Sequence, residues 1–131
     1  MPATPNRPLS PHLSIWRWGP HMAVSILHRA TGAALTIGGL ALLAWWLLAI
    51  AQGGEQFSAF SSFTGHWAGL VVLIGLSWAF FQHTLSGIRH LVMDTGHGFE
   101  IEGNKRGAVL TIILSLVLTA ALWAYFLGRG A

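Results

Sequence analysis

Residues 33–51 carry the sequence AALTIGGLALLAWWLLAIA, which contains no charged side chain. The stretch lies within a run of 25 residues that lacks Asp, Glu, Lys and Arg, between Arg29 and Glu55. A helix needs about 20 apolar residues to cross the hydrocarbon core of a bilayer. Because lipid offers no hydrogen-bond partners, a spanning segment must satisfy its own backbone as a helix. The run therefore predicts a transmembrane helix at about residues 22–50.

Uncharged runs of 33 and 22 residues follow further along the chain. By the same length argument, they predict a second and a third spanning helix at about residues 65–92 and 106–128. The segments that connect the spans, 51–64 and the glycine-rich 94–107, are predicted to be loops. The expected fold class is an all-α membrane protein with three transmembrane helices.

The composition excludes several classes of protein. Of the 131 residues, 53% are hydrophobic and only 8% are charged, whereas an ordinary soluble domain has about 25% charged residues. A soluble monomer and a disordered chain are therefore excluded. The absence of Cys excludes disulfides and iron–sulfur clusters held by this chain. A net charge of +3 is too small to indicate a nucleic-acid partner.

The basic residues are distributed unevenly around the three predicted spans. Six of the seven fall on one side of the membrane, and they are Arg7, Arg17, Arg29, Arg89, Lys105 and Arg106. Cytoplasmic loops of membrane proteins carry an excess of Lys and Arg. The N-terminus is therefore predicted to be cytoplasmic and the C-terminus periplasmic. On the outer side, Trp45, Trp46 and Trp67 would form an aromatic belt.

The N-terminal segment 1–20 contains all five prolines of the chain and no apolar core. A secretory signal peptide requires such a core, so the segment is not interpreted as one. It is predicted to be extended and to lie on the cytoplasmic face, before a single transmembrane domain. Pro20 is predicted to occupy the first turn of the first helix.

One face of the first helix combines aromatic, apolar and hydrogen-bonding side chains. Its members share helical spacing, and they are Trp18, Met22, Ser25, Ile26 and Arg29. Ser and Arg can both donate to a carbonyl oxygen, so the face suits an amphiphilic ring that carries carbonyl groups. Without such a ligand, Arg29 would extend to the lipid headgroups and Trp18 would join the interfacial belt.

The second span carries a histidine, His83, about 9 Å from Arg89 along the helix axis. Within hydrocarbon a neutral imidazole needs a polar partner. A haem iron, a hydroxyl on another helix and a proton relay are the candidates. Ser86 and Gly87 share its side of the helix and would allow a flat macrocycle or another helix to approach. His90 lies on that face as well.

His28 and Arg29 are adjacent residues at the membrane edge of the first span. Such a pair could hold carboxylates, for example haem propionates, through charge-assisted hydrogen bonds. It could equally hold the phosphates of lipid headgroups.

Three motifs together resemble a known family. They are RPLSPHL at residues 7–13, SILHRATG at 25–32, and HxxxGIRHLxxD at 83–94. In this order and spacing they resemble the cytochrome b large membrane-anchor subunit of succinate dehydrogenase (complex II), of the mitochondrial and alphaproteobacterial type. The resemblance covers nearly the whole chain, with Trp16 as one departure where this type usually has Tyr. The first motif begins at residue 7, so we expect no presequence before it and expect a bacterial inner membrane as the setting, with the mitochondrial one less favoured.

The resemblance implies a role for each site residue. His83 matches the axial ligand of haem b, whose second axial ligand comes from a small anchor subunit in the same helical bundle. The positions near the haem propionates are His28, Arg29 and His90. Ser25 and Arg29 match residues that line the ubiquinone pocket. The apolar walls of that pocket are Trp18, Met22 and Ile26.

The resemblance also implies partners and a reaction. The chain would anchor the flavoprotein and iron–sulfur subunits and help to pass electrons from succinate to ubiquinone, with no catalytic residue of its own in isolation. Two alternatives stay open. One is the anchor of a fumarate reductase, which runs the reaction in reverse. The other is a haem-free anchor or proton-relay subunit that uses His83, His90 and Asp94.

Overall fold

The computed structural model of the chain describes residues 17–129, and that part is helical apart from short connections. The elements in order are α1 (Pro20–Ala34), a π-helical segment (Leu35–Gly39), α2 (Leu40–Gln52), α3 (Gly54–Gly65), α4 (Trp67–Asp94) and α5 (Ile101–Arg129). The motif at residues 7–13, Trp16 and most of the predicted extended segment lie outside the described residues.

Three helices in the described part are long and apolar enough to cross a membrane, by length and composition. They are Pro20–Gln52, Trp67–Asp94 and Ile101–Arg129. The prediction of an all-α protein with three spans is thus confirmed, and Pro20 stands at the start of the first helix as expected. The helix ends differ from the predicted ones by at most five residues, at the start of the third span.

The prediction of a loop at 51–64 is wrong, because Gly54–Gly65 forms α3. Positive φ angles of 63° and 50° at Gly53 and Gly54 turn the chain sharply, which glycine allows without strain. Phe60 and Phe63 then lie one turn apart and both contact the indole of Trp45, with ring centroids 5.2 Å away in each pair. These aromatic contacts favour a helix in a segment that was predicted to be a loop only because it connects two spans.

The predicted loop at 94–107 is also too long, because α5 begins at Ile101. Its first turn is supported by a surface ion pair of 3.3 Å between Glu102 and Arg106, four residues apart. Gly107, one of the residues that indicated a loop, lies inside the helix. A Cβ at this position would lie 3.5 Å from the Arg89 Nε, an ordinary van der Waals contact.

The core of the helical bundle is made of small and polar residues. α4 packs against α1, α3 and α5, and α1 also packs against α5. The buried residues are Val24, Thr31, Ala49, Gly69, Ala79, Gln82, Ser86, Ala108, Thr111, Ser115 and Thr119. Small side chains let helix backbones approach closely in a membrane, where large apolar residues can face lipid instead.

One hydrogen bond between side chains joins α4 to α5 inside the core. Ser115 Oγ donates to Gln82 Oε1 at 2.8 Å, and both residues are fully buried. The Gln82 Nε2 and Ser86 Oγ atoms have no hydrogen-bond partner within residues 17–129. Inside the core, the pairing of α4 with α5 therefore includes one polar contact between side chains, among small residues.

Candidate functional site

Three histidines from α1 and α4 lie together at one end of the bundle. The rings of His28 and His83 are stacked, with centroids 4.1 Å apart and planes 5° from parallel. His90 meets His28 edge-on, at 5.3 Å between centroids. The structure thus brings together His28, His83 and His90, which the sequence analysis had selected on two separate motifs. We call this group the imidazole cluster.

His83 is held by the backbone of α1. Its Nδ1 atom lies 3.0 Å from the carbonyl oxygen of His28 and 3.4 Å from Thr31 Oγ1. The ring also lies close to Gly32, where a Cβ would stand 2.9 Å from His83 Cε1. Contacts from three residues of one helix therefore define the position of the His83 ring.

His28 has a buried nitrogen without a partner. Its Nδ1 atom is buried and makes no hydrogen bond with any described residue. One side of the imidazole cluster therefore carries an unsatisfied polar atom, which is costly in an apolar environment. An external polar group at this place would remove that cost.

Arg29 does not share the environment of its neighbour His28. The Arg29 side chain is exposed, whereas His28 is half-buried against His83. Successive side chains of a helix point about 100° apart, so the two side chains lie on different faces of α1. The adjacent pair can reach one ligand only if that ligand extends around α1.

The residues predicted to line a quinone pocket form an open surface in this chain. Trp18 is 66% exposed, Ile26 is 47% exposed, and Arg29 is exposed. Met22 and Ser25 are half-buried on the same helix end. This face could form one wall of a ligand pocket, with an apolar part and a hydrogen-bonding part.

The other residues of the third motif are separate from the imidazole cluster. Arg89 donates a hydrogen bond to Asn104 Oδ1 and thereby links the end of α4 to the start of α5. Asp94 is exposed at the last position of α4. Arg89 thus acts between helices and Asp94 at the surface.

Thr31 and Gly32 are not among the predicted site residues. Both belong to the second motif, two and three residues after Arg29. Their contact with His83 depends on how α1 crosses α4, which spacing along one helix does not reveal. The buried pair Gln82 and Ser115 was missed for the same reason.

Comparisons with known proteins agree with this architecture. The family described as the succinate dehydrogenase/fumarate reductase transmembrane subunit matches residues 3–122. The succinate dehydrogenase cytochrome b556 subunit of Paracoccus denitrificans is 40% identical over 113 residues, covering 86% of this chain and 86% of the relative. The b556 subunit of Rickettsia felis is 37% identical over 118 residues, covering 90% and 91%. The mitochondrial cytochrome b560 subunit of Sus scrofa is 35% identical over 123 residues, covering 91% and 71%.

Three long apolar helices and their match to a transmembrane family make the chain a multi-pass membrane protein. It belongs to the family of succinate dehydrogenase/fumarate reductase transmembrane subunits. Its relatives from Paracoccus and Rickettsia are cytochrome b subunits of succinate dehydrogenase, so the resemblance carried by the three motifs is confirmed.

Proposed function

We propose that the chain is the large membrane anchor of a succinate dehydrogenase, that it supplies one axial ligand to a haem b, and that it forms part of a ubiquinone-reducing site. The observation that carries this proposal is the placement of His83 within the imidazole cluster. The relatives named cytochrome b support the haem. A haem held between two subunits supplies a one-electron redox centre.

The hydrogen bonding of His83 fits a haem ligand. A carbonyl oxygen only accepts hydrogen bonds, so Nδ1 of His83 carries the proton that it shares with the His28 carbonyl. In a neutral imidazole the other nitrogen, Nε2, then presents a lone pair. Iron-ligating histidines are typically held in this way, with the non-ligating nitrogen donating to a carbonyl. The stacked His28 ring lies over the plane of His83, whereas a metal bonds within that plane.

The remaining members of the imidazole cluster suit the carboxylate groups of a haem. His28 Nδ1 is buried and lacks a partner among the described residues, so it is free to donate to a propionate oxygen. His90 lies beside it and is exposed. Arg29 would reach the same groups from the outer face of α1.

The exposed face of α1 supplies part of the quinone site. Ser25 would donate a hydrogen bond to one quinone oxygen, and Arg29 would stabilise the negative charge that develops on the ring oxygens during reduction. Trp18, Met22 and Ile26 would contact the apolar part of the quinone. Because this face is open, we assign the opposite walls to the iron–sulfur subunit and the small anchor subunit.

The remaining partners follow from the same assignment. The flavoprotein and iron–sulfur subunits would dock on the side that carries the N-terminus, which the distribution of basic residues makes cytoplasmic. The small anchor subunit would supply the second axial ligand of the haem. The bacterial relatives favour a bacterial inner membrane as the location.

Replacement of His83 tests the haem assignment directly. We expect His83→Ala to abolish the b-type bands in the dithionite-reduced minus oxidised spectrum of the purified complex, because one axial bond to the iron is lost. The matched control is His97→Ala, since His97 is exposed in the connection between α4 and α5. Retention of the bands at the wild-type ratio to flavin would remove His83 as the ligand. Absence of the bands from the intact wild-type complex would instead favour the haem-free anchor.

A fumarate reductase anchor is the second candidate, because the family description includes both enzymes. The two differ in the direction of electron flow, which the quinone decides. The relatives named above are all subunits of succinate dehydrogenase, which favours that direction. Comparing succinate:ubiquinone activity with quinol:fumarate activity of the complex would separate them.

A further inference from the structure

We infer that Thr31 and Gly32 are positioning residues that set the proton position and the orientation of the His83 imidazole. This inference rests on the proposed ligation of haem by His83 and assigns two further residues to it. Neither residue would touch the haem iron. Each acts through its contact with the His83 ring.

The hydroxyl of Thr31 faces His83 as an acceptor. Thr31 Oγ1 donates to the carbonyl oxygen of Leu27 at 2.7 Å, and this short bond uses its single proton. The lone pairs of Oγ1 remain for His83 Nδ1, at 3.4 Å. His83 Nδ1 therefore meets two acceptors, the His28 carbonyl and the Thr31 hydroxyl, and no available donor. This arrangement permits only the tautomer in which Nδ1 is protonated and Nε2 is free.

Gly32 lets the His83 ring lie directly against the backbone of α1. A Cβ at Gly32 would stand 2.9 Å from His83 Cε1, closer than Cβ atoms pack, and 3.3 Å from Nδ1, a tight contact. His28 covers one face of the same ring at a centroid distance of 4.1 Å. The ring is therefore confined, and a side chain at Gly32 would force it to move.

These two contacts would act on the haem in different ways. An acceptor for the non-ligating N–H increases the electron donation of an imidazole to iron and so favours the oxidised state. Loss of one acceptor should therefore raise the midpoint potential of the haem. Movement of the ring should instead change the orientation of the axial ligand and weaken haem retention.

The first experiment removes the Thr31 hydroxyl and keeps its shape. In purified complex carrying Thr31→Val, we expect haem content to be retained, the midpoint potential in a visible redox titration to rise, and Thr31→Ser to restore the wild-type potential. Thr119→Val is the matched control, because Thr119 is also buried and also donates to the carbonyl four residues before it. An unchanged potential in Thr31→Val, or an equal shift in Thr119→Val, would overturn the role of Thr31.

The second experiment adds one methyl group beside the ring. We expect Gly32→Ala to lower the haem-to-flavin ratio about tenfold and to change the low-spin EPR signal of the remaining oxidised haem. Gly75→Ala is the control, since a Cβ there meets no described atom within 4 Å. Alanine favours a helix more than glycine does, so a general loss of helix stability would not explain the difference. A wild-type haem-to-flavin ratio and a wild-type EPR signal in the Gly32→Ala complex would overturn the role of Gly32.

The His83→Ala complex separates this inference from the proposed function. If His83→Ala keeps its haem, both the ligand assignment and the positioning roles fail. If His83→Ala loses its haem while Thr31→Val and Gly32→Ala keep the wild-type potential and occupancy, only the positioning roles fail. If the Gly32→Ala complex does not assemble, the titration of Thr31→Val decides the inference.

Discussion

At the scale of single residues, His28 and Arg29 are neighbours in sequence but lie in different environments. His28 packs against His83 and Arg29 is exposed on the face that also carries Ser25. The sequence marks both as polar residues of a spanning helix, and their adjacency suggested that they could hold the same carboxylates. The helical rotation between them separates a residue of the imidazole cluster from one on the exposed face that we propose for the quinone.

Arg29→Ala should lower succinate:ubiquinone activity of the complex roughly tenfold or more, because a charge-assisted hydrogen bond contributes about 1.5–3 kcal/mol. Electron transfer from succinate to an artificial acceptor should be unchanged, since that route does not use the quinone site. Both activities are measured on the same purified complex. Arg129→Ala, at the opposite end of the chain, is the control. An equal loss of both activities would assign Arg29 to assembly instead.

At the scale of helices, the sequence predicted the three spans well because hydrocarbon thickness sets the length of uncharged runs. It did not predict α3 or the first turns of α5, which lie between the spans. The first of these segments was predicted to be a loop from its position between two spans, and the second from its glycines. Contacts such as Trp45 with Phe60 and the pair Glu102–Arg106 stabilise helix there instead. The contacts of His83 with Thr31 and Gly32 were not predictable either, because they depend on the crossing of two helices.

The contact between α4 and α5 offers a test with two buried serines. Ser115→Ala should lower the free energy of unfolding by about 0.6 kcal/mol, the usual size of an interhelical hydrogen bond in a membrane. It also leaves Gln82 Oε1 unpaired. Ser86→Ala should leave the free energy of unfolding unchanged, since Ser86 Oγ has no hydrogen-bond partner among the described residues.

The measurement is an SDS titration of the purified complex in mixed micelles, with both variants compared to wild type. The two serines are matched because each is fully buried. If Ser86→Ala lowered the free energy of unfolding as much as Ser115→Ala does, Ser86 would have a polar partner in the assembled protein.

At the scale of the whole molecule, polar and apolar residues are arranged in the opposite way to a soluble protein. The described core holds Thr31, Gln82, Ser86 and Ser115, while large apolar side chains such as Leu110 are exposed. In water such a surface would drive aggregation. In a membrane it can face lipid and other helices, which agrees with a subunit that completes its sites with partners.

The predicted orientation can be tested by labelling, because the chain contains no Cys. Ser58→Cys, on the exposed side of α3, should react with a membrane-impermeant maleimide in spheroplasts. Lys105→Cys, exposed near the start of α5, should react only after the membrane is opened. The reverse pattern would place the N-terminus outside and contradict the rule based on basic residues.

The π-helical segment Leu35–Gly39 has a consequence for the first spanning helix as a whole. A π turn contains one residue more than an α turn, and each helical residue advances the direction of its side chain by about 100°. α1 directs His28 toward His83 of α4, and α2 directs Trp45 toward the phenylalanines of α3. If the same residues formed a regular α-helix, α2 would rotate by about 100° relative to α1. Either the histidine stacking or the contacts of Trp45 would then be lost, so the wider turn keeps both ends of the helix in register with their separate neighbours.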